Sequence, residues 1–516
     1  MNEAVAAAWR VLPEYLGQHV ILSASALALG IAISVPLALL AIRNARVRWL
    51  VLAIASLIQT IPSLALLALF YPLLIALAAL SRRWLGHGFS ALGFLPSLLA
   101  LTLYSILPIV RNAVAGIVNL DPAVIEAADG VGMTARQRLF RVELPLAAPV
   151  IMAGVRTAAV WVIGAATLST PVGQTSLGNY IFSGLQVENW VSVLFGCIAA
   201  AALALSVDLL LGLIESGAAK RSRRRMLLGG CALLAGVAVA AGPAALSGST
   251  AYVIGAKNFS EQYILAELLA QRLTHQGLPV TQRTGLGSVI AFRALANSEL
   301  DAYVEYSGTL WATVMGRSDT PSREAMLRQT QEWLRREQGV VMLGSLGFEN
   351  AYALAMRRDR AQSLGIATIA DLASHSGQLR IGGDLEFFSR PEWRALREHY
   401  GLAFAEQRQF QPTFMYKALV GREVDVISAF SSDGRIAADD LMILADPQQV
   451  ILPYDALVLI APKRAADTRL RNALQPLVGK IPIELMRQAN FRVDRDTQKM
   501  SIAEVARWLA ERVGQE

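Results

Sequence analysis

A polytopic α-helical membrane domain followed by an α/β two-lobed domain is the architecture this sequence predicts, and three observations predict it. Residues 20–246 are dominated by Leu, Ala, Ile and Val in runs long enough to cross a bilayer. Residues 251–516 carry the regular charges, aromatic residues and Gly/Pro punctuation of a water-soluble protein. One polar island, EAADGVGMTARQRLFRVELP from Glu126 to Pro145, interrupts the apolar half. The whole chain is 54% hydrophobic and 17% charged, whereas soluble domains carry roughly 25% charged residues.

A spanning helix needs about 20 apolar residues, and six runs qualify: 20–42, 50–80, 94–118, 146–166, 191–215 and 227–246. The second contains Pro62 and Pro72. It reads either as one kinked helix or as a helix followed by a re-entrant piece. Orientation follows from the placement of Lys and Arg. Arg43, Arg46 and Arg48 follow the first run, Arg136, Arg138 and Arg141 lie in the polar island, and Lys220, Arg221, Arg223, Arg224 and Arg225 precede the last run. With the N-terminus outside, all three clusters fall on the cytoplasmic side, and Arg82 with Arg83 is the one exception. The last run then leads outward and places 251–516 outside the cytoplasm. Residues 1–19 lack the basic start and apolar core of a cleavable signal.

The net charge of +7 does not indicate nucleic-acid binding, because the clearest basic cluster, Lys220–Arg225, flanks an apolar run directly. Cys197 and Cys231 lie inside apolar runs and support neither a disulfide framework nor a metal site. Asp208 lies inside the fifth run and is expected near the cytoplasmic boundary, with water or an arginine close by.

The island has the chemistry of a short surface helix. Asp121-Pro122 is a helix start. Ala127, Ala128, Gly130 and Gly132 offer almost no side-chain bulk, so another protein can approach closely, and the three arginines surround that surface with charge. Glu126-Ala127-Ala128, then Gly132, then Leu144-Pro145, resembles the EAA signature of permease subunits of ATP-binding-cassette (ABC) importers. LPIVRNAVAGI (107–117), VELPLAAPVIMAGVRTA (142–158) and TSLGNYIFSGL (175–185) resemble the osmoprotectant branch of those permeases, over roughly residues 20–215. The resemblance implies a MetI-like permease domain over 1–226 with a coupling helix at about 121–141. Glu126, Ala127, Ala128 and Gly132 would meet a separate ATPase. One EAA segment in a class that uses two permease halves implies a homodimer with two ATPase subunits. The chain contains no Walker motif, so ATP and Mg are expected on that partner and no cofactor is expected here.

In the soluble part, Ala251–Gly255 alternates as a short strand. Ser260-Glu261-Gln262 opens an amphipathic helix with apolar Ile264, Leu265, Leu268 and Leu269. Strand–helix pairs recur at Val280–Arg283 with Ser288–Asn297 and at Arg380–Gly382 with Arg390–Tyr400. Such alternation predicts an α/β fold with largely parallel sheets. GLG at 285–287 is a turn before a helix, and spacing offers no nucleophile–base pair and no His/Cys metal cluster. The chain is therefore not expected to be an enzyme. Aromatic residues recur beside polar or turn-forming ones in DAYVEYSGTLW (301–311), FENAYALAM (348–356), TFMYKAL (413–419), ISAFSSDGRI (427–436) and ILPYDALVLI (451–460). They fall at or near candidate strand ends, where α/β sheets place ligands.

KNFSEQYIL and DAYVEYSGT resemble the opening motif and the Tyr-containing loop of periplasmic binding proteins of the same osmoprotectant branch, and the likeness covers almost all of 251–516. It implies a type II binding-protein fold, with one lobe at about 251–355 and 450–516, the other at about 356–449, and ligand in the cleft. Carried over position by position, it makes Tyr306, Thr309, Asn350, Tyr352, Phe430 and Tyr454 ligand contacts, Phe430 standing where Tyr is usual. Lys257 and Arg390 would hold the ligand's anionic end, opposite the rings.

A quaternary ammonium has no N–H to donate, so ring faces must hold it, each contributing about 0.5–2 kcal/mol. Arg390 could grip a carboxylate through two charge-assisted hydrogen bonds. The expected ligand is a quaternary amine, with a zwitterion such as glycine betaine, carnitine or ergothioneine ahead of choline. Residues 227–250 would be the last span and a linker, AGPAALSGST at 241–250 having the composition of a flexible tether. The expected location is a bacterial inner membrane. A membrane-anchored receptor and a membrane-anchored enzyme are the alternatives. The docking helix argues against the first, and the missing catalytic constellation against the second.

Overall fold

A computed structural model describes residues 3–85, 89, 93–186, 189–246, 251–384, 386–495 and 498–514. They form two compact units, Met1–Ile181 with Val191–Gly248, and Phe182–Trp190 with Ser249–Glu516.

The membrane unit is helical: α1 Glu3–Arg43, α2 Ala45–Thr60, α3 Ser63–Leu85, α4 Phe94–Val118, α5 Pro122–Gly130, α6 Ala135–Arg138, α7 Leu144–Ala166, α8 Gly178–Gln186, α9 Trp190–Ala219 and α10 Arg223–Leu246. Four stretches among the described residues are long and apolar enough to cross a membrane: Ala8–Arg43, Phe94–Val118, Ala135–Val172 and Trp190–Ala219. A fifth is added if Ala45–Thr60 and Ser63–Ala78, bent by 101°, count as one span. Five of the six expected runs fall on these stretches, and the sixth, 227–246, forms most of α10. The break between α2 and α3 has a local cause. Ile61, forced out of helical geometry by the proline after it, sits at φ −71° and ψ 126°. The tether also differs from expectation. Residues 241–246 continue α10 as helix, and 247–250 lie outside the described residues.

α4 forms the centre of this unit, with Leu101, Ile109 and Val110 buried against α1, α2 and α7. Small residues bring the helices together. A Cβ on Gly154 of α7 would lie 2.7 Å from the Pro108 carbonyl oxygen of α4.

The described residues of the binding unit form ten strands: β1 Tyr252–Lys257, β2 Val280–Leu286, β3 Ala302–Tyr306, β4 Val341–Glu349, β5 Tyr352–Arg357, β6 Arg380–Asp384, β7 Glu406–Phe410, β8 Val426–Phe430, β9 Leu441–Ile443 and β10 Asp455–Ile460. They make two five-stranded sheets, ordered β2-β1-β3-β10-β4 and β7-β6-β8-β5-β9. β1 is parallel to β2 and β3, and β6 is parallel to β7 and β8. β10 and β5 run antiparallel to both of their neighbours. The sheets are thus mixed rather than largely parallel. β5 and β10 are the strands by which the chain enters each sheet from the other lobe, so no crossover helix dictates a parallel entry. The first crossing also comes earlier than residue 355, because Tyr352 already opens β5. At the crossings the Asn350 N–H donates to the Tyr454 carbonyl at 2.9 Å. Helix α11, Ser260–His275, follows β1 and is buried along most of its length.

Candidate functional site

The ends of β1, β3 and β8 and the two crossings supply the side chains. β1 ends at Lys257, with Phe259 just beyond, and β3 ends at Glu305-Tyr306. Tyr352 opens β5 directly opposite Phe430, the last residue of β8. Tyr454 immediately precedes β10. Gly308 makes room for it, since a Cβ there would come within 2.6 Å of the Tyr454 ring.

The rings form a line from the first lobe to the second. Centroids lie 6.1 Å apart for Tyr306–Phe259, 6.4 Å for Phe259–Phe430, 5.1 Å for Phe430–Tyr352 and 5.8 Å for Tyr352–Tyr454. Phe387 packs on Tyr352 at 5.2 Å. The four expected rings do come together, but Tyr306 is linked to the rest through Phe259, which the sequence reading passed over. The available signal was its place inside KNFSEQYIL at the end of a strand. Gln262, two residues into α11, was also missed. Its amide donates to the Tyr306 hydroxyl oxygen at 3.1 Å and to the Val304 carbonyl at 3.0 Å. Burial raises the Tyr306, Tyr352 and Tyr454 hydroxyls well above their ordinary pKa, so all three stay neutral.

The two cations are not at a separate end. Lys257 Nζ lies 4.6 Å from the Tyr306 centroid and 5.7 Å from that of Phe259. The Arg390 guanidinium lies 5.1 Å from the Tyr352 centroid. Each has an acidic partner, Glu305 for Lys257 at 2.6 Å and Glu386 for Arg390 at 2.7 Å. Arg390 also donates to the Tyr454 hydroxyl at 3.3 Å and to Thr313 at 3.4 Å, and Tyr454 donates to Glu392. Thr309 is buried at the start of a π turn that follows β3, and Asn350 sits on the crossing.

Several buried polar atoms here lack a hydrogen-bond partner among the described residues: Arg390 Nε, Glu392 Oε2, Asp384 Oδ2 and Asn350 Oδ1. Burial pushes the Asp384 carboxyl up. Leaving such a group unsatisfied costs about 1–3 kcal/mol, so the cluster is suited to a polar, charged guest. A larger cavity, about 550 Å³, lies elsewhere between the lobes, lined by Ile436, Leu441, Met442 and Phe491. It contains none of the clustered rings.

In the membrane unit the polar island is a helix–turn–helix. The Asp121 side chain caps α5 by accepting from the Ala123 N–H at 2.9 Å, and Gly132 turns the chain at φ +78°. Glu126, Ala127 and Gly132 are exposed, whereas Ala128 is buried and offers no surface to a partner. The helix itself explains the difference, since residues two apart point to different sides. Val131 and Phe140 are 73% and 57% exposed, apolar residues that the sequence reading did not single out. Arg138 pairs with Asp129 at 2.7 Å and Glu143 at 2.8 Å, so it braces the turn rather than standing free.

Farther along α7, Arg156 holds Asp208 through Nε at 2.9 Å and Nη2 at 2.8 Å, and Glu215 through Nη1 at 2.6 Å. The arginine expected near Asp208 is therefore present, and Gly212 lets it lie against α9, where a Cβ would be 3.4 Å from the guanidinium carbon.

Two family models match. The substrate-binding domain of the ABC-type glycine betaine transport system matches residues 250–511, and the binding-protein-dependent transport system inner membrane component matches residues 30–220. Among curated proteins, the ergothioneine transport permease/ergothioneine binding protein EgtU of Helicobacter pylori is 28% identical over 489 residues, covering 91% of this chain and 85% of that one. The choline transport system permease protein OpuBB of Bacillus subtilis is 38% identical over 198 residues, 38% of this chain and 84% of its own. A glycine-betaine-binding protein of Pseudomonas aeruginosa is 31% identical over 268 residues, 49% of this chain and 86% of its own.

Proposed function

The chain belongs to the ABC-type glycine betaine transport family, as a membrane permease component fused to the family's substrate-binding domain, and on that premise we propose that it captures a zwitterionic quaternary amine for ATP-driven import. The observation that carries the proposal is the line of five rings with Lys257 and Arg390 lying over it. A trimethylammonium group takes ring faces at Phe259, Phe430 and Tyr352, where cation–π attraction needs no N–H. Its carboxylate takes Arg390, whose Nε has no partner among the described residues. A ligand with positive charge alone would bring no acceptor for the Arg390 Nε and would leave that buried donor unsatisfied. This reasoning ranks glycine betaine, carnitine and ergothioneine ahead of choline. Relatives named for ergothioneine and glycine betaine support the ranking, while the permease named for choline matches only the membrane unit.

In this reading a separate ATPase, in two copies, docks at Glu126, Ala127 and Gly132 of a homodimer in a bacterial inner membrane, and carries the ATP and Mg. The binding unit faces away from the cytoplasm. The test is calorimetric titration of the full chain in lipid nanodiscs with glycine betaine, carnitine, ergothioneine, choline and the dimethylamine analogue of glycine betaine. The trimethylated zwitterion should bind more tightly than its tertiary-amine analogue and than choline. Equal affinity for all five overturns the proposal.

A further inference from the structure

Glu261 stands beside the ring cluster and has no part in the ligand reading above. It lies in the first turn of α11, buried, and its carboxylate accepts hydrogen bonds from side chains on four separate segments. These come from Tyr306 Oη at 2.6 Å, Asn350 Nδ2 at 3.2 Å, Ser432 Oγ at 2.5 Å and Asn490 Nδ2 at 2.8 Å. Tyr306 ends β3 in the first lobe, and Asn490 lies on the helix Ile483–Asp494, which packs against α11. Asn350 is on the crossing, and Ser432 is in the turn after β8 in the second lobe. Burial pushes the Glu261 carboxyl up even against these four donors. Glu261 forms no ion pair among the described residues, so neutral donors alone hold it.

The seam around it is tight. Phe259, Phe430, Asn350, Asn490 and Arg435 line a cavity of about 30 Å³, room for a water or so. The Asn350 and Asn490 Oδ1 atoms there have no hydrogen-bond partner among the described residues. Arg487 of the first lobe donates to the Ser431 carbonyl of the second at 2.9 Å. A Cβ on Gly434 would lie 2.5 Å from Phe491 Cα, so the turn meets the helix backbone directly.

We propose that Glu261 is a positioning residue that couples the ring cluster to lobe closure, because one carboxylate fixes the Tyr306 hydroxyl in the first lobe and Ser432 in the second. The proposal rests on the reading that ligand binds at the rings. When the lobes part, Ser432 leaves the carboxylate, which then turns to water and loosens its hold on Tyr306. A ligand held on Phe259, which stacks on Tyr306, favours the carboxylate position that Ser432 needs, so capture and closure reinforce each other.

The test uses the full chain in nanodiscs with Cys197 and Cys231 replaced by Ser. Spin labels are placed through Arg328→Cys on the first lobe and Glu398→Cys on the second, both exposed positions. Ser432→Ala should lengthen the ligand-free interlobe distance and raise the dissociation rate of glycine betaine about tenfold, a loss typical of one hydrogen bond to a charged group. Adding Tyr306→Phe to Ser432→Ala should cost less than the two single losses combined, since both act through one carboxylate. Unchanged distances and dissociation in Ser432→Ala, or strictly additive losses, overturn the proposal. If no ligand binds the wild-type chain, the ligand reading fails, and the ligand-free distances still decide whether Glu261 holds the lobes.

Discussion

Arg156 in the membrane unit and Glu261 in the binding unit both carry charge away from bulk water, and their surroundings differ in kind. Arg156 is met by two carboxylates on α9, Asp208 and Glu215, one helix against another. Glu261 is met by a phenol, a hydroxyl and two amides from four segments, with no opposite charge among its partners. Opposite charges set among apolar helices hold one another, and separating them costs more than separating neutral partners. At a seam between lobes water can enter, so neutral donors suffice and can be given up. The first arrangement is a permanent joint between α7 and α9, and the second is one that opens.

The largest effect expected from this contrast is at the permanent joint. Arg156→Leu leaves two half-buried carboxylates without their cation and should cost about 1–3 kcal/mol. A drop in the detergent melting temperature, partly restored by Asp208→Leu in the same chain, would support it. An Arg156→Leu variant as stable as wild type would erase the distinction between the two regions.

On the proposed function, motion in the membrane unit is imposed from outside, at the polar island. Ala127→Trp adds bulk at an exposed helical position without backbone strain. It should remove most ligand-stimulated ATP hydrolysis in the complex reconstituted with the ATPase, while ligand affinity stays as in wild type. Normal stimulation would move the docking surface elsewhere, with exposed Val131 and Phe140 the next positions to replace.

The ring line should respond more moderately. Phe259→Leu keeps apolar bulk and removes a ring face, and should weaken glycine betaine by about 1–2 kcal/mol, roughly five- to thirtyfold. Titration that finds wild-type affinity would make Phe259 packing only. Arg390→Met should weaken glycine betaine more than choline, which has no carboxylate for the guanidinium to hold.

The smallest effect is a slope with pH. Burial pushes the Asp494 carboxyl up to about 6, against the pull of Arg435. Between about pH 4 and that value the folded unit keeps a proton that the unfolded chain has released. Stability therefore falls as pH rises through that window and levels off above it. Asp494→Asn should flatten much of the slope and raise stability at pH 7 in urea titrations. Glu261, shifted the same way, should leave some slope behind.

Local chemistry made much of this legible in advance. Apolar runs announced α1, α4, α7 and α9, the alternation of Ala251–Gly255 announced β1, Ser260-Glu261-Gln262 announced α11, and Asp121-Pro122 announced α5. What stayed hidden depended on partners distant in the chain. Phe259 acquires its role by stacking on Phe430, 171 residues later, and its place in KNFSEQYIL at a strand end does not name that partner. Nothing nearby in sequence shows that Lys257 lies over Tyr306 and Arg390 over Tyr352. The antiparallel entry of β5 and β10 was equally invisible, since strand–helix alternation reports only the strands it connects. Two misses were avoidable. Helical periodicity turns Ala128 away from Glu126, and Arg156 is a lone cation in an apolar run, the natural partner for Asp208.

The hydrogen bond from Asn350 to Tyr454 closes residues 351–453 into a loop of chain whose two ends touch. Topologically the second lobe is an insertion into the first, entered and left at one doorway. Insertions of that form are gained, lost and exchanged with little disturbance to their host. Gene rearrangement could therefore trade this lobe, with Tyr352, Arg390 and Phe430 aboard, for that of a relative and, on the proposed function, alter which ligand is captured, while the permease unit and the first lobe continue unchanged.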